Sequence, residues 1–382
     1  MSIETEAIVL RGSGDPRSGE DPPFELLSLE PVTLDEPGPH EVLVAVDTAA
    51  ICHSDLSVLS GQRPRPTPMV LGHEASAVVA TVGAGVERWR PGQHVLMTFV
   101  PSCGHCRPCV EGRPALCEPG NAANAAGQLL SGHRPFRDRD GETLHQHLGL
   151  SAFSRHTVVA ENSLLPLPDE MPLDLAALLG CGVLTGVGAA VNTAAVRPGM
   201  EVAVFGLGGV GLSAVIGAGL AGAATVLGID VDEGKFELAR RLGADACMTA
   251  GPDAVAWVRA NSEGGVDAAI DTTGVAAVLP DAYAATRRGG VAVVVGLADP
   301  AAEVAIAPAD LVASERVIRG SYMGSTVPAR DVEWLTRMHR RGMLPLGALV
   351  GARLELADVP AGFAALHRGI GGRQLIAIGG SR

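Results

Sequence analysis

The chain has 382 residues, of which 47% are hydrophobic and 19% charged, and its formal net charge at pH 7 is −13. This length and apolar content predict a globular protein of two ordinary-sized domains. The acidic balance argues against nucleic acid or an anionic membrane surface as a partner, and the N-terminal residues lack the basic and apolar pattern of a secretion signal. We therefore expect a cytoplasmic protein with no membrane-spanning segment.

The first part of the chain has the pattern of β structure. The runs EVLVAVDTAAI, ASAVVATVGAGV and QHVLMTFV fall between residues 41 and 100, separated by glycine and proline. Such spacing predicts short antiparallel strands. Residues 118–150 show no apolar periodicity, so we expect a surface loop there. Strand structure is expected again from FSRHTVV onward.

Four closely spaced cysteines form the strongest motif. Cys103, Cys106, Cys109 and Cys117 lie within residues 101–118 in the pattern C-x₂-C-x₂-C-x₇-C. Tight turns can bring four such thiolates around one tetrahedral zinc ion and leave no position for a substrate, which predicts a structural zinc lobe. Disulfides are an alternative that a reducing compartment disfavours, and the acidic net charge disfavours a nucleic-acid-binding zinc ribbon.

The pattern changes at about residue 184, where apolar strands begin to alternate with helical stretches. This alternation predicts a parallel sheet covered by helices. The strand EVAVFG runs into a glycine-rich loop and then a helix. Gly206 is expected to make the tight turn, Gly208 to let backbone approach a pyrophosphate, and Gly211 to allow close packing of helix on strand. The predicted dinucleotide loop is Gly206, Leu207, Gly208, Gly209, Val210 and Gly211.

An acidic residue follows this loop at the end of the next strand. Asp230 can accept hydrogen bonds from the adenosine ribose hydroxyls and would repel a 2′-phosphate, which favours NAD over NADP. Lys235 is the only lysine of the chain and is near enough to reach the same ribose. A solvated lysine at the start of a helix is the alternative interpretation.

A second set of metal-ligand types is scattered along the chain. Cys52 lies in ICHSD, His73 in LGHE and Cys181 in LGCGVLTG. Two cysteines and one histidine would leave one zinc position open, as a catalytic zinc requires. Taken singly, such a residue is more often a buried thiol or a core histidine whose hydrogen bonds are already made within the protein.

In order and spacing these motifs resemble the zinc-dependent medium-chain alcohol dehydrogenases, from about residue 36 to the C-terminus. The matching pieces are C-H-S-D, G-H-E, the four-cysteine lobe, G-C-G-V-L-T-G, G-L-G-G-V-G and the acid at Asp230. The resemblance implies two Zn²⁺ per chain, a catalytic one on Cys52, His73 and Cys181 and a structural one in the lobe. Cys247 matches no ligand position.

The resemblance also implies an α/β fold of two domains. A GroES-like β catalytic domain would comprise residues 1–182, completed by residues 323–382. A Rossmann domain with a doubly wound parallel sheet would comprise residues 183–322 and bind NAD. A homodimer or homotetramer is implied too, and we expect pairing through an edge strand near VAVVVG.

Further roles near the catalytic zinc follow from the resemblance. Ser54 matches the hydroxyl that accepts the substrate proton, Asp55 the carboxylate that holds the imidazole of His73, and Glu74 an acid behind the zinc. Phe99 falls where the family lines its substrate channel. Contacts to the cofactor are implied for His53 and Arg373, on the pyrophosphate, and for Thr185, beside the nicotinamide.

Two positions depart from the family pattern. Ala77 stands where a glycine is usual, and the added methyl group is the mildest replacement. Ser57 stands where many members carry a histidine that passes the proton to solvent. Because a serine is not a base at neutral pH, we expect water to take the proton directly.

The implied function is an NAD-dependent alcohol dehydrogenase, in which hydride passes between a zinc-bound alcohol, as its alkoxide, and NAD⁺ to give an aldehyde or ketone. An alternative is a formaldehyde dehydrogenase of the same family that acts on a glutathione- or mycothiol-type adduct. Arg134, Arg137 and Arg139 could recognise such a charged adduct, although solvated surface arginines are the simpler interpretation. A non-catalytic nucleotide-binding scaffold is a remote alternative, since a scaffold has no need of an open zinc site.

Overall fold

The computed structural model describes residues 2–16, 18, 20–369 and 372–379. The strands in chain order are β1 (Ile3–Leu10), β2 (Leu27–Leu34), β3 (Glu41–Ala50), β4 (Met69–Val70), β5 (Ala75–Val82), β6 (His94–Met97), β7 (Phe136–Arg137), β8 (His145–Gln146), β9 (His156–Ala160), β10 (Leu164–Pro166), β11 (Glu201–Phe205), β12 (Thr225–Asp230), β13 (Ala246–Thr249), β14 (Val266–Asp271), β15 (Thr286–Val294), β16 (Val317–Gly320), β17 (Val350–Glu355) and β18 (Arg373–Ala377).

The α-helices alternate with these strands mainly in the second half. They are α1 (His53–Leu59), α2 (Arg107–Val110), α3 (Glu118–Ala126), α4 (Leu173–Ala176), α5 (Gly182–Gly188), α6 (Gly209–Leu220), α7 (Phe236–Arg241), α8 (Ala254–Ala260), α9 (Val278–Ala285), α10 (Pro308–Ser314), α11 (Pro328–Arg340) and α12 (Val359–His367). Among the described residues no single helix has the length and apolar composition to cross a membrane; the adjoining helical segments Leu173–Leu179 and Gly182–Thr193 pass that test only as a bent pair.

The chain divides into two compact units. The first comprises Met1–Cys181, Val327–Thr336 and Val350–Arg382, and the second comprises Gly182–Thr326 and Arg337–Leu349. The predicted domain boundaries were residues 182 and 323. The division differs from them most in the C-terminal part, where residues 337–349 belong to the second unit.

Two sheets build the first unit. One has the order β7-β2-β1-β4-β8, and the other has the order β10-β6-β5-β3-β18-β17, with β9 also paired to β3. Pairs in both sheets are mostly antiparallel, as the short alternating runs predict. Their apolar faces share a core that includes Leu34, Val70, Phe136 and Val158. This framework carries α1, the loop after β4 and the four-cysteine lobe.

A single six-stranded parallel sheet forms the second unit. Its order is β13-β12-β11-β14-β15-β16, and each neighbouring pair is parallel. Numbered from β11, this is the order 3-2-1-4-5-6 of a doubly wound nucleotide-binding sheet, in which ligands bind at the carboxyl ends of the strands where the order reverses. The predicted fold class, with β-rich and doubly wound parts, is therefore confirmed.

Two local expectations are wrong. The expected surface loop at residues 118–150 begins with α3, and the helix escapes periodicity analysis because it consists of small residues, EPGNAANAA. The Cys117 side chain accepts a hydrogen bond from the backbone N–H of Gly120 and so caps its start. The strand containing VAVVVG, β15, lies between β14 and β16 and is not an edge; the edge strand on that side is β16.

Candidate functional site

Cys52, His73 and Cys181 meet although they are far apart in sequence. Cys52 immediately precedes α1, His73 follows β4, and Cys181 immediately precedes α5. One ligand atom from each of the three lies within 4.8 Å of the other two, and all three residues are buried. The sequence prediction grouped these residues, and the structure brings them together.

The His73 imidazole has the form of a metal ligand. Its Nδ1 lies 2.9 Å from Asp55 Oδ1 and donates to it. Its Nε2 is buried and has no hydrogen-bond partner among the described residues. An unpartnered buried nitrogen costs about 1–3 kcal/mol unless a ligand satisfies it. Together with two thiols beside it, this nitrogen fits a three-ligand zinc site with one position left open.

Charge around the two thiols favours one thiolate even without a metal. The hydrogen bond from Cys181 lowers the pKa of Cys52, with further lowering by the charges of His73 and Arg373. The same hydrogen bond, with burial, raises the pKa of Cys181. Binding a cation would favour both thiolates, since a coordinating thiol is deprotonated outright.

Glu74 and Arg373 form a buried ion pair beside these thiols. Arg373 Nη2 donates to Glu74 Oε2, and both side chains are buried. The charge of Arg373 acts on Cys52 and Cys181. The predicted position of Glu74 next to the metal ligands fits this contact. For Arg373 the structure supplies a protein partner, and the contact with the cofactor pyrophosphate stays a prediction.

Asp55 is a buried carboxylate that joins several parts of the site. Its Oδ2 accepts a hydrogen bond from the backbone N–H of Cys52 at 3.2 Å. Burial opposes ionisation, but the charge of His73, its hydrogen bond and the close contact with His147 lower the pKa of this carboxyl overall. The family resemblance assigned Asp55 to His73 alone. His147 was not predicted, since it lies in the unpatterned stretch and belongs to no motif.

The remaining first-unit candidates surround α1. Ser54 is half-buried in the first turn of α1, while His53 is exposed. Ser57 Oγ donates to the backbone oxygen of His53 at 2.8 Å, so its hydroxyl is held by its own helix. The Phe99 ring packs edge-on against the His73 ring, with 5.5 Å between centroids. Ala77 is buried in β5 between Val46 and Val95, and the sheet register there is continuous on the β6 side.

The four cysteines of the lobe also converge. Each Sγ lies within 4.8 Å of the other three. Cys106 Sγ and Cys117 Sγ are 3.9 Å apart, against about 2.05 Å in a disulfide. Backbone N–H groups donate to the sulfurs of Cys103 and Cys117. Although burial raises it, the N–H groups of His105 and Cys106 lower the pKa of Cys103 to about 7, which suits a thiolate ligand.

The glycine-rich loop of the second unit has the predicted geometry. Gly206 has φ of +88° and ends β11 in a turn that favours glycine. A Cβ added to Gly211 would lie 1.8 Å from the backbone oxygen of Gly206, so only glycine fits there. A Cβ at Gly208 would meet no atom within 4 Å. Gly208 caps α6, which starts with Gly209 and Val210, and its N-terminus suits a pyrophosphate.

Asp230 and Lys235 form one ion pair at the end of β12. Lys235 Nζ lies 2.9 Å from Asp230 Oδ1, and Asp230 Oδ2 accepts the N–H of Leu207 at 2.6 Å. The carboxylate therefore fixes the glycine-rich loop, and its contact with the ribose stays a prediction. Thr185 lies half-buried in α5 of the same unit. His53 and Arg373 belong to the first unit, and their contacts with the cofactor stay predictions.

Comparisons with known proteins identify relatives over nearly the whole chain. Residues 38–169 match the family model "Alcohol dehydrogenase GroES-like domain", and residues 209–338 match "Zinc-binding dehydrogenase". S-(hydroxymethyl)glutathione dehydrogenase of Saccharomyces cerevisiae is 35% identical over 351 residues, which cover 90% of this chain and 91% of the relative.

Solved structures with this fold cover the chain equally well. An alcohol dehydrogenase zinc-binding domain protein from Burkholderia ambifaria superposes with a TM-score of 0.92 at 34% identity, covering 99% of both chains. Benzyl alcohol dehydrogenase from Acinetobacter calcoaceticus gives a TM-score of 0.90 at 28% identity, covering 98% of this chain and 99% of that one.

Proposed function

Since this chain belongs to the zinc-dependent medium-chain alcohol dehydrogenase family, we propose that Cys52, His73 and Cys181 hold the zinc ion at which it oxidises an alcohol with NAD⁺. The predicted family and enzyme class are confirmed: the protein is an oxidoreductase whose cofactors are zinc and NAD. The observation that carries the assignment of residues is the buried His73 Nε2, unpartnered in the described chain, beside two buried thiols.

The ligand residues and their neighbours have separate tasks in this proposal. Zinc, when bound, lowers the pKa of an alcohol hydroxyl as a Lewis acid, and NAD⁺ accepts the hydride. Asp55 orients the His73 imidazole through Nδ1, so that Nε2 stays directed to the metal. Ser54, half-buried on α1 two residues after Cys52, relays the proton that the alcohol releases, since its oxygen accepts that proton while its own hydroxyl proton passes on. Phe99 forms an apolar wall against His73.

Beyond Ser54 the proton goes to water. Ser57 Oγ donates to the backbone oxygen of His53, and its hydroxyl is too weakly basic to hold a proton at neutral pH as a histidine would. The cofactor site takes NAD rather than NADP, because the Asp230 carboxylate would repel a 2′-phosphate. Lys235, paired with Asp230 at 2.9 Å, holds that carboxylate in place for the ribose.

A substrate panel followed by NADH absorbance tests the proposal. Primary, secondary and aromatic alcohols are offered with NAD⁺, and zinc is counted in the same preparation. We expect turnover with about two zinc ions per chain. Cys52→Ser should abolish turnover and remove one zinc ion, while Cys247→Ser, the matched control outside both clusters, should retain both. No NADH from any alcohol would favour the scaffold interpretation.

A thiol-adduct formaldehyde dehydrogenase is the second candidate. It is favoured by the 35% identity to the yeast S-(hydroxymethyl)glutathione dehydrogenase. Of the arginines suggested for adduct recognition, Arg137 does not add to it, since it is bound to Asp35 at 3.1 Å and to Thr143 at 2.9 Å. Formaldehyde with glutathione or mycothiol, compared with formaldehyde alone, separates the candidates. A thiol requirement would select the adduct reaction.

We also propose a homo-oligomer in the cytoplasm. Seven cysteines that are thiols, four of them gathered for one metal, suit a reducing compartment. In the described sheet of the second unit, β16 is the edge next to β15, and Val317 on it and Val312 before it are 42% and 77% exposed. An exposed edge strand can pair with its copy. Sedimentation of the purified protein would give the number of chains.

A further inference from the structure

Asp55 receives a second imidazole that the family assignment does not account for. His147 Nδ1 lies 3.0 Å from Asp55 Oδ1, the same oxygen that accepts from His73. The geometry of this contact does not meet that of a hydrogen bond, so it is a close polar contact between the imidazole and the carboxylate. The two imidazole rings stand nearly perpendicular, at 84°, with centroids 5.3 Å apart. All three side chains are buried, at 2% exposure or less.

The backbone holds His147 firmly in this position. It follows β8, and its N–H donates to the backbone oxygen of Val70 and to Ser151 Oγ, at 3.2 and 3.1 Å. Its carbonyl accepts the N–H groups of Leu150 and Ser151. Ser151 Oγ in turn donates to the Val70 oxygen at 2.9 Å. The backbone that carries the His147 imidazole is thus fixed to β4, the strand that leads to His73.

Two hydrogen-bond donors and one close imidazole contact therefore hold the Asp55 carboxylate. They are the imidazoles of His73 and His147 and the backbone N–H of Cys52. Moving an ionised carboxylate out of water costs several kcal/mol, which is recovered only if its oxygens are well satisfied. With one donor removed, the carboxylate is less well solvated and can turn about its last torsion angle. Both residues it orients, His73 and Cys52, would then be less well fixed.

The same three residues do not form a separate metal site. A ligand atom of each of Asp55, His73 and His147 lies within 4.8 Å of the others. However, His73 Nδ1 already donates to Asp55 at 2.9 Å, and a protonated nitrogen has no lone pair for a metal. The arrangement is that of a hydrogen-bonded carboxylate between two imidazoles.

We propose that His147 is a positioning residue of the catalytic metal site, which fixes the Asp55 carboxylate that orients His73 and Cys52. The inference rests on the proposed assignment of Cys52, His73 and Cys181 as zinc ligands. His147 touches neither zinc nor substrate in this role. It acts through Asp55, as residues that hydrogen-bond a metal ligand's partner do.

Substitutions of matched shape test this role. In His147→Asn the amide nitrogen replaces Nδ1, whereas His147→Leu fills a similar volume without a donor. The readout is the rate at which the holoenzyme releases zinc to a coloured chelator, along with kcat and KM. We expect His147→Leu to release the catalytic zinc about 10–100-fold faster than the parent, and His147→Asn to stay near the parent. Zinc of the four-cysteine lobe serves as the internal reference and should not change.

If His147→Leu does not fold, a second variant still tests the inference. In His147→Gln the amide nitrogen reaches the place of Nε2 instead of Nδ1, so a donor is present but misplaced. This variant should release zinc as fast as the leucine variant would. Parental release by His147→Leu, or equal release by the asparagine and glutamine variants, would overturn the inference.

His73→Asn separates this inference from the assignment of the ligands. It should bind only the lobe zinc. If it keeps two zinc ions, the ligand assignment itself is wrong. If it loses one while His147→Leu keeps both at the parental release rate, the ligands stand and only the role of His147 is refuted.

Discussion

At the scale of single residues, the proposed route of the alcohol proton depends on the hydroxyl of Ser54. Ser54 lies half-buried beside Cys52 on α1, and general acid–base groups contribute about 10²–10⁴-fold to rate. We expect Ser54→Ala to lower kcat by about 10²-fold or more with zinc content unchanged. Ser54→Thr keeps the hydroxyl and should retain most of the activity. Steady-state kinetics with zinc analysis would measure both.

Ser57 supplies the comparison for this prediction. Its hydroxyl donates to the backbone oxygen of His53 within α1. Ser57→Ala should therefore leave kcat and its pH profile nearly unchanged, and the profile should lack a limb near pH 6.5 from a relay histidine. Activity lost in Ser57→Ala, or retained in Ser54→Ala, would mean that the proton takes another route.

Asp230 is the residue that we propose selects the cofactor. Its carboxylate accepts the N–H of Leu207 and pairs with Lys235. A hydrogen bond to a charged group contributes about 1.5–3 kcal/mol, so Asp230→Ser should raise KM for NAD⁺ by roughly 10–100-fold and reduce the preference over NADP⁺. Asp232→Ser is the control, since Asp232 is exposed and only caps the N–H of Gly234. A cofactor preference unchanged in Asp230→Ser would contradict the assignment.

Residues that belong to contiguous motifs could be predicted from the sequence. The roles of Gly206 and Gly211 follow from backbone geometry alone, and the structure has the turn and close approach they require. The grouping of Cys52 with Cys181 needed the family pattern, because spacing cannot bring distant residues together. His147 could not be predicted, since its role depends on the path of the chain between β8 and β9 and on a contact with Asp55.

At the scale of elements, the lobe supports a neighbouring helix. Cys117 caps the start of α3, and Asn124 on α3 donates to the backbone oxygen of Phe99 at 2.8 Å. The lobe is thus connected to the proposed substrate wall through one helix. Because four thiolates saturate a zinc ion, the contribution of the lobe is to stability and position rather than to chemistry.

Loss of a lobe ligand should therefore affect stability first. We expect Cys106→Ser to lower Tm, where a loss of about 2 kcal/mol corresponds to roughly 4–8 °C for a domain of this size. Cys52→Ser should instead abolish turnover in a protein that stays folded. Calorimetry and activity on the same preparations would measure the two effects. Equal Tm of Cys106→Ser and the parent, with activity lost, would contradict this division of roles.

Strands with clear apolar runs could be predicted from the sequence, whereas a helix made of small residues could not. The alternating strands β3, β5 and β11 lie within their predicted runs. The helix α3 was missed because Ala, Asn and Gly give no apolar stripe, and its start depends on a cysteine cap. The edge position of β16 was missed because strand order is a property of the whole sheet, while periodicity describes one strand at a time.

For the whole molecule, the two ligands should stabilise different units. The zinc candidates Cys52, His73 and Cys181 belong to the first unit, and the glycine-rich loop with Asp230 belongs to the second. A ligand that binds only the folded state stabilises it by about 2.7 kcal/mol at 100 times its Kd. Protection from hydrogen exchange reports such stabilisation region by region.

Hydrogen–deuterium exchange should therefore separate the two effects. We expect zinc removal to speed exchange in peptides around residues 52–74 and 103–117, and saturating NAD⁺ to slow it around residues 201–235. Asp230→Ser should remove most of the NAD⁺ protection and leave the zinc effect intact, because the Asp230 carboxylate accepts the N–H groups of Leu207 and Asp232 and pairs with Lys235, all within the second unit. If zinc removal loosened the peptides around Gly206 as much as those around His73, the units would not respond separately, and the assignment of one ligand to each would fail.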